Sequence, residues 1–244
     1  MKKLIYTSII LCIVFTICLS SYASAESCPL PKQNCDADIA FSGFEWYTDY
    51  QDTVSTATNK GIVNSWDWAR DNFDADSYET PHWAAVYNSL NSSAGSEKGC
   101  GGYLSYSSNI PNVAGYKIDT LHLYLMWNPE TGKVEDYTQK DALQFYMATY
   151  TFDVTDKEAC YNDLLAKLKS LYGENPVTDT YGWLSDTVYT CWVNSEGAMV
   201  ALSWDEYDVT LLYMAPGAED KLCEVEQIVK AQEISSAAGD VSGL

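Results

Sequence analysis

Val154 to Pro176 reads VTDKEACYNDLLAKLKSLYGENP, and this stretch decides between an all-β and a mixed fold. Thr155 followed three residues later by Glu158 has the spacing of a capping box, in which the threonine hydroxyl and the glutamate side chain satisfy free backbone N–H groups at a helix start. Tyr161, Leu164, Leu165, Leu168, Leu171 and Tyr172 recur at helical spacing. Gly173 supplies the left-handed stop, and Pro176 prevents resumption. A β-sandwich has no place for this segment, so the chain is expected to be α+β, with helices packed on an antiparallel sheet.

Three strands in meander order are predicted after this helix: Tyr181 to Val193, broken or bent near Ser185; Ala198 to Trp204, after the turn Asn194-Ser195-Glu196-Gly197; and Tyr207 to Met214. An earlier stretch, FSGFEWYTDYQDTVSTATNKGIV from Phe41, repeats the arrangement. Thr48 and Gln51 have capping-box spacing, which predicts a helix from about Asp49 to Asn59 ending at Gly61. Three strands are again expected beyond it, Tyr103 to Ser107, Tyr116 to Trp127 and Leu143 to Phe152, with a turn at Asn128 to Lys133. Alternation in the middle strand puts Leu121, Leu123, Leu125 and Trp127 on one face. Ile118, His122, Tyr124 and Met126 take the other, so both faces are to be covered. The sequence thus divides into 1-25, a signal peptide; 26-40, a cysteine-bearing segment; 41-153 and 154-234, two related helix-then-meander modules, the second with a closing amphipathic helix at Glu219 to Gln232; and 235-244, a disordered tail.

The signal peptide follows from Lys2 and Lys3, the apolar run Leu4 to Leu19 and the small-residue pattern Ala23-Ser24-Ala25, with cleavage expected after Ala25. That run is shorter than the ~20 residues of a spanning helix. A secreted or periplasmic protein without an integral membrane segment is expected. Among 244 residues, 34 acids face 14 Lys and Arg, a net charge of −20, or about −22 once Lys2 and Lys3 are removed. Such a chain repels phosphate backbones, which argues against nucleic-acid and anionic-membrane partners. Six cysteines remain after cleavage, Cys28, Cys35, Cys100, Cys160, Cys191 and Cys223. An even number in an exported protein reads as up to three disulfides, with Cys28 and Cys35 in CPLPKQNC the preferred pair. No CxxC or Cys-His spacing for zinc is present.

The segment FSGFEWYTDYQDT resembles the pattern F-x-G-[ILF]-x-W-G-T-S-x-E-E-V that opens many small exported bacterial proteins. Phe41, Gly43, Phe44, Trp46 and Thr48 match it, while Tyr47 stands in place of Gly and Thr53 in place of Val. LLAKLKSLYGENP followed by a Trp-containing meander is similar to their second half. The arrangement also resembles, at the level of fold, the tandem helix-plus-sheet modules of β-lactamase-inhibitor proteins and small outer-membrane assembly lipoproteins. The resemblance implies a binding or assembly role in the envelope, and it carries no catalytic residues across.

Residues for catalysis are sparse. No G-x-S-x-G elbow exists, and His82 and His122 have no evident Ser or Cys partner. Acid pairs such as Glu45 with Asp49 or Asp205 with Glu206 arise by chance in so acidic a chain, although a glycosidase needs two facing carboxylates. Asp71, Asp74, Asp76 and Glu79 could offer oxygen ligands to calcium, but the stretch lacks the EF-hand glycine and its spaced final Glu. An acidic loop is the simpler reading, and no cofactor is expected. Eight Trp and nineteen Tyr suit a protein interface or stacking on sugar rings. Trp46, Trp66, Trp68, Trp83 and Tyr124 are the candidate binding residues. The expected function is therefore an exported non-enzymatic binding protein with a protein or envelope partner. A carbohydrate-binding module and an acid-dependent secreted hydrolase are the alternatives.

Overall fold

The computed structural model describes residues 32–62, 66–69, 101–128, 142–181 and 187–218, with Glu130 and the helical residues Asp220, Lys221, Glu224, Val225 and Ile228. In chain order the elements are α1 (Tyr50–Asn59), β1 (Trp66–Ala69), β2 (Gly101–Tyr106), β3 (Ile118–Trp127) and β4 (Leu143–Phe152). They continue as α2 (Lys157–Tyr172), β5 (Val177–Tyr181), β6 (Thr187–Val193), β7 (Met199–Trp204) and β8 (Val209–Met214). The strands form one sheet in the order β1-β2-β3-β4-β8-β7-β6-β5, and every neighbouring pair is antiparallel. The fold is α+β, as the helix at Val154 to Pro176 requires.

Among the described residues α1 and α2 are each followed by four strands where three were expected, and the two groups meet through their last strands, β4 and β8. The break or bend expected near Ser185 is a break with reversal of the chain, because β5 and β6 pair antiparallel from Val177↔Cys191 to Tyr181↔Thr187. Trp66 to Ala69, where no strand was expected, is an edge strand paired with β2.

Both helices are capped one residue later than the capping-box spacing implied. Asp49, not Thr48, accepts the backbone N–H of Asp52 at 2.8 Å, and Asp156, not Thr155, accepts that of Ala159 at 3.0 Å. The carboxylates win because Asp caps at least as well as Thr and adds negative charge at the positive end of the helix dipole. Thr48 bonds instead to the Glu45 carbonyl at 3.0 Å. In α1, Tyr50, Thr53 and Ala57 are buried, with the Thr53 hydroxyl returned to the Asp49 carbonyl at 2.7 Å. In α2, Cys160, Tyr161, Leu164 and Leu168 are buried, while Leu171, at the helix end, is 67% exposed.

α1 lies on β4, and α2 lies on β7 and β8. Under them the first face of the sheet carries Leu104, Leu121, Leu123, Leu125, Phe145, Trp192, Val200, Leu202 and Leu211, all buried. Entry to α1 is set by a tight turn: Ser42 and Gly43 have φ of 39° and 74°, and the Phe44 N–H closes on the Phe41 carbonyl at 2.8 Å. Two successive positive φ values are the two-residue hairpin geometry that favours glycine at its second position. Residues 47–49 then run beside the start of β4. The Tyr47 N–H donates to the Phe145 carbonyl at 2.7 Å, and the Phe145 N–H to the Thr48 carbonyl at 2.8 Å.

The N-terminal segment finishes the opposite end of the sheet. Beyond Val177 no β5 residue pairs with β6, and the Asn34 side chain takes that place. Its amide donates to the Cys191 carbonyl at 3.1 Å and accepts the Val193 N–H at 2.8 Å.

Cys35, Cys160 and Cys191 are free thiols, each buried, and Cys28, the preferred partner of Cys35, lies outside the described residues. Cys160 packs in the first-face cluster and Cys191 in the second-face cluster, so the sheet itself lies between them. Burial disfavours the thiolates, raising Cys160 to about 11 and Cys191 to about 12. Cys28, Cys100 and Cys223 lie outside the described residues, as do the expected cleavage site and tail. Within the segment expected as a closing helix, Asp220, Lys221, Glu224, Val225 and Ile228 are helical.

Candidate functional site

The second face of the sheet is organised as three parallel rows, each running across six strands. Register places Tyr103, Tyr124, Met147, Met214, Met199 and Val193 side by side from β2 to β6. The next row is Ser105, His122, Thr149, Leu212, Ala201 and Cys191. The third is Thr120, Thr151, Thr210, Ser203, Tyr189 and Asp179, from β3 to β5. Rows form because side chains two residues apart share a face and cross-strand partners stand about 5 Å apart.

Exposure follows the rows. In the first, every residue but Tyr103 is buried; in the third, Thr120, Thr151, Thr210, Ser203 and Tyr189 are all partly exposed. One half of the second face is therefore closed and apolar, and the other is an open strip of hydroxyl groups. Two local features build the closed half. A bulge between Tyr124 and Leu125 puts Tyr146 and Met147 consecutively in the second-face cluster. Ala215 and Ala218, where the chain leaves β8, join the same cluster.

The corner beside Ala218 is pinned by Tyr47. Its hydroxyl donates to the Pro216 carbonyl at 2.5 Å, and Lys221 lies over its ring at 3.6 Å. Burial raises the Tyr47 phenol to about 12, so it stays a neutral donor. Tyr47 has a φ of 64°, a conformation that glycine adopts freely and a tyrosine holds only with compensation. The bond to Pro216 and the Lys221 stack supply it. Next to this corner, Asn128, Glu130, Gln144, Lys221, Glu224 and Val225 line a cavity of about 100 Å³, room for a few water molecules.

His122 stands where the closed and open halves meet. Its ring lies 5.0 Å from Tyr103 and 5.9 Å edge-on from Tyr124, with Nδ1 3.4 Å from the Tyr124 hydroxyl. Burial holds its pKa below the ordinary value, so it is neutral near pH 7. Thr149 is its cross-strand partner. Among the described residues no cluster of three or more His, Cys, Asp or Glu that could hold a metal ion forms.

Of the residues picked from the sequence, Tyr124 is 6% exposed and its ring faces other aromatics. Trp46 is half-buried and stacks on Phe145 at 5.0 Å and 16°. Its indole N–H, like that of Trp127, is buried without an acceptor. Trp66 and Trp68 belong to edge strand β1. Trp83 and the calcium candidates Asp71, Asp74, Asp76 and Glu79 lie outside the described residues, so Trp46 and Tyr124 are the only two of the five binding candidates whose side chains can be placed. The hydroxyl strip was missed. Each of its members is a single hydroxyl-bearing residue in a different strand, and only the register gathers them.

Comparison with family models, with curated proteins and with solved structures finds no match. Among the described residues no helix is long and apolar enough to cross a membrane.

Proposed function

We propose that this chain is an exported, non-enzymatic binding protein, built from two related helix-plus-sheet modules, that engages a protein or envelope partner through the open half of the second sheet face. The observation that carries the reading is the hydroxyl row Thr120, Thr151, Thr210, Ser203 and Tyr189, partly exposed across five strands. Hydroxyls both donate and accept, and on a sheet they are held by the backbone at little further entropic cost. The row's own side chains carry no charge from Thr120 to Tyr189, in a chain of net charge −20, and at its β3 end the Asp119 carboxylate accepts the Thr120 hydroxyl at 3.1 Å.

A photo-crosslinking amino acid placed at Thr210 tests this in the producing cells. One discrete adduct in the envelope or medium, absent when the same group replaces Leu171 near the opposite face, supports the reading. Adducts from both positions, or from neither, overturn it. Carbohydrate binding is the second reading, favoured by the part-exposed rings of Tyr189, in the strip, and Tyr103, at the β2 end of the first row. Retention on an immobilised polysaccharide that is lost in Tyr189→Ala decides for it.

A further inference from the structure

The cavity beside the Tyr47 corner is walled by groups of both charges. Asn128 comes from the end of β3, Glu130 from the turn that follows, Gln144 from the start of β4, and Lys221, Glu224 and Val225 from the closing helical segment. Local bonds hold these pieces in place. The Asn128 N–H donates to the Ala142 carbonyl at 2.7 Å, the Asn128 side-chain oxygen accepts the Glu130 N–H at 3.0 Å, and the Lys221 N–H closes on the Gly217 carbonyl at 3.2 Å. The Lys221 ammonium rests on the Tyr47 ring, which fixes the position of the positive charge.

Gln144 is the most telling member of the lining. It is 7% exposed, and its side-chain amide makes no hydrogen bond among the described residues. A buried amide left so is costly unless water or a ligand enters to satisfy it, and the cavity is where that partner can sit. The charged groups are in a similar position. Ion pairs among the described residues join Lys117 to Asp153, Lys167 to Asp163 and Lys169 to Glu174, and none uses Lys221, Glu130 or Glu224. A guest therefore meets an ammonium, two carboxylates and an unsatisfied amide around one space of about 100 Å³, the share of three waters at ~30 Å³ each. That volume admits few heavy atoms, and complementing both signs within it requires an ammonium and a carboxylate close together on one small molecule. A bare anion would meet the two carboxylates, and a metal cation would meet the Lys221 ammonium.

We propose that this cavity binds a small α-amino acid as its zwitterion, of the size of glycine or alanine. Lys221 and the Gln144 amide N–H groups hold the carboxylate, Glu130 and Glu224 hold the ammonium, and Val225 adds an apolar wall.

Glycine, L-alanine, methylammonium, acetate and calcium are each titrated into the intact protein by calorimetry. Glycine and L-alanine should bind saturably at one site, and methylammonium and acetate, which carry one charge each, at least tenfold more weakly. Glu224 is exposed and Lys221 partly so; Glu224→Gln and Lys221→Gln should keep the wild-type circular dichroism and weaken glycine binding at least tenfold. Gln144→Leu, which removes the amide at nearly equal volume, should do the same. If uncovering the Tyr47 ring unfolds Lys221→Gln, the singly charged ligands and Glu224→Gln decide. No saturable glycine binding, equal binding of methylammonium or acetate, displacement of glycine by calcium, or unchanged affinity in folded Glu224→Gln overturns the site and leaves the cavity to water. None of these readouts depends on the partner proposed for the hydroxyl strip.

Discussion

The two faces of one sheet are built from different materials. Under α1 and α2 the first face is a continuous aliphatic and aromatic core, with Trp192 fully buried, its indole N–H donating to the Gly173 carbonyl at 2.8 Å and its ring 6.1 Å from Tyr172. The second face is Met, Ala, Cys and Tyr on one half and hydroxyls on the other. Rigid, branched and aromatic side chains have few rotamers and specify one packing; methionine adapts. Stability and uniqueness are therefore assigned to the first face, and adaptable contact to the second.

Removing matter from each face is the harshest test of that division. Trp192→Ala should destabilise by about 3–5 kcal/mol, the range for emptying a fully buried aromatic site, and it also leaves the Gly173 carbonyl without its indole donor. Met199→Leu, equally buried, conserves volume and should cost less than ~1.5 kcal/mol. Urea unfolding of both variants measures the ratio. Similar losses would mean that the second face is packed as tightly as the first, and the contrast would fail.

Hydroxyls sharpen the comparison at a smaller scale. On the first face Thr190 is 1% exposed and bridges the Tyr161 hydroxyl at 2.7 Å and the Thr178 hydroxyl at 3.0 Å. Thr190→Val breaks that buried chain and should cost about 1–3 kcal/mol. Thr210→Val, in the open strip, should stay within about 0.5 kcal/mol. A costly Thr210→Val would show that the strip holds the fold instead of facing a partner.

The helices offer a third contrast, between neighbouring residues. Asp156→Ala should lower stability by about 1 kcal/mol and Thr155→Ala much less, with the same order for Asp49 and Thr48. Reversal at either helix would restore the capping-box assignment. This is also where sequence and structure part company in an instructive way. Capping boxes are read from spacing, and Thr155 with Glu158 has the spacing; which of two adjacent residues actually caps depends on where the backbone turns helical, a tertiary matter. The helix over Lys157–Tyr172 was legible because its apolar repeat is long and Gly173 closes it at φ 110°. The reversal between Tyr181 and Thr187 was legible only as a break or bend near Ser185, since β-branched residues continue on both sides. The hydroxyl strip and the methionine row were invisible for a stricter reason. They exist between strands, and register is set by bulges such as that beside Tyr124, which leave no mark in the local pattern.

The smallest expected effect separates the faces by proton uptake. Burial holds the folded-state pKa of His122 below its ordinary value of 6.5. As pH falls through 6.5 the unfolded chain takes up the proton first, so the stability gained from neutral His122 is lost on descent from 6.5 to the lower folded-state value. On the first face the burial of Tyr150, Tyr161 and Tyr213 raises their phenols, and their contribution fades only as pH climbs past about 10. Acid should thus act through the second face, whereas alkali acts on both, because the buried thiols Cys160 and Cys191 are raised from 9.0 to about 11 and about 12. Urea midpoints at pH 7.5 and 5.5 for wild type and His122→Gln measure the acid arm: the variant should lose less stability on acidification than the wild type. An equal loss would assign the acid sensitivity to the many carboxylates and remove His122 from the boundary between the closed and open halves as a titrating group.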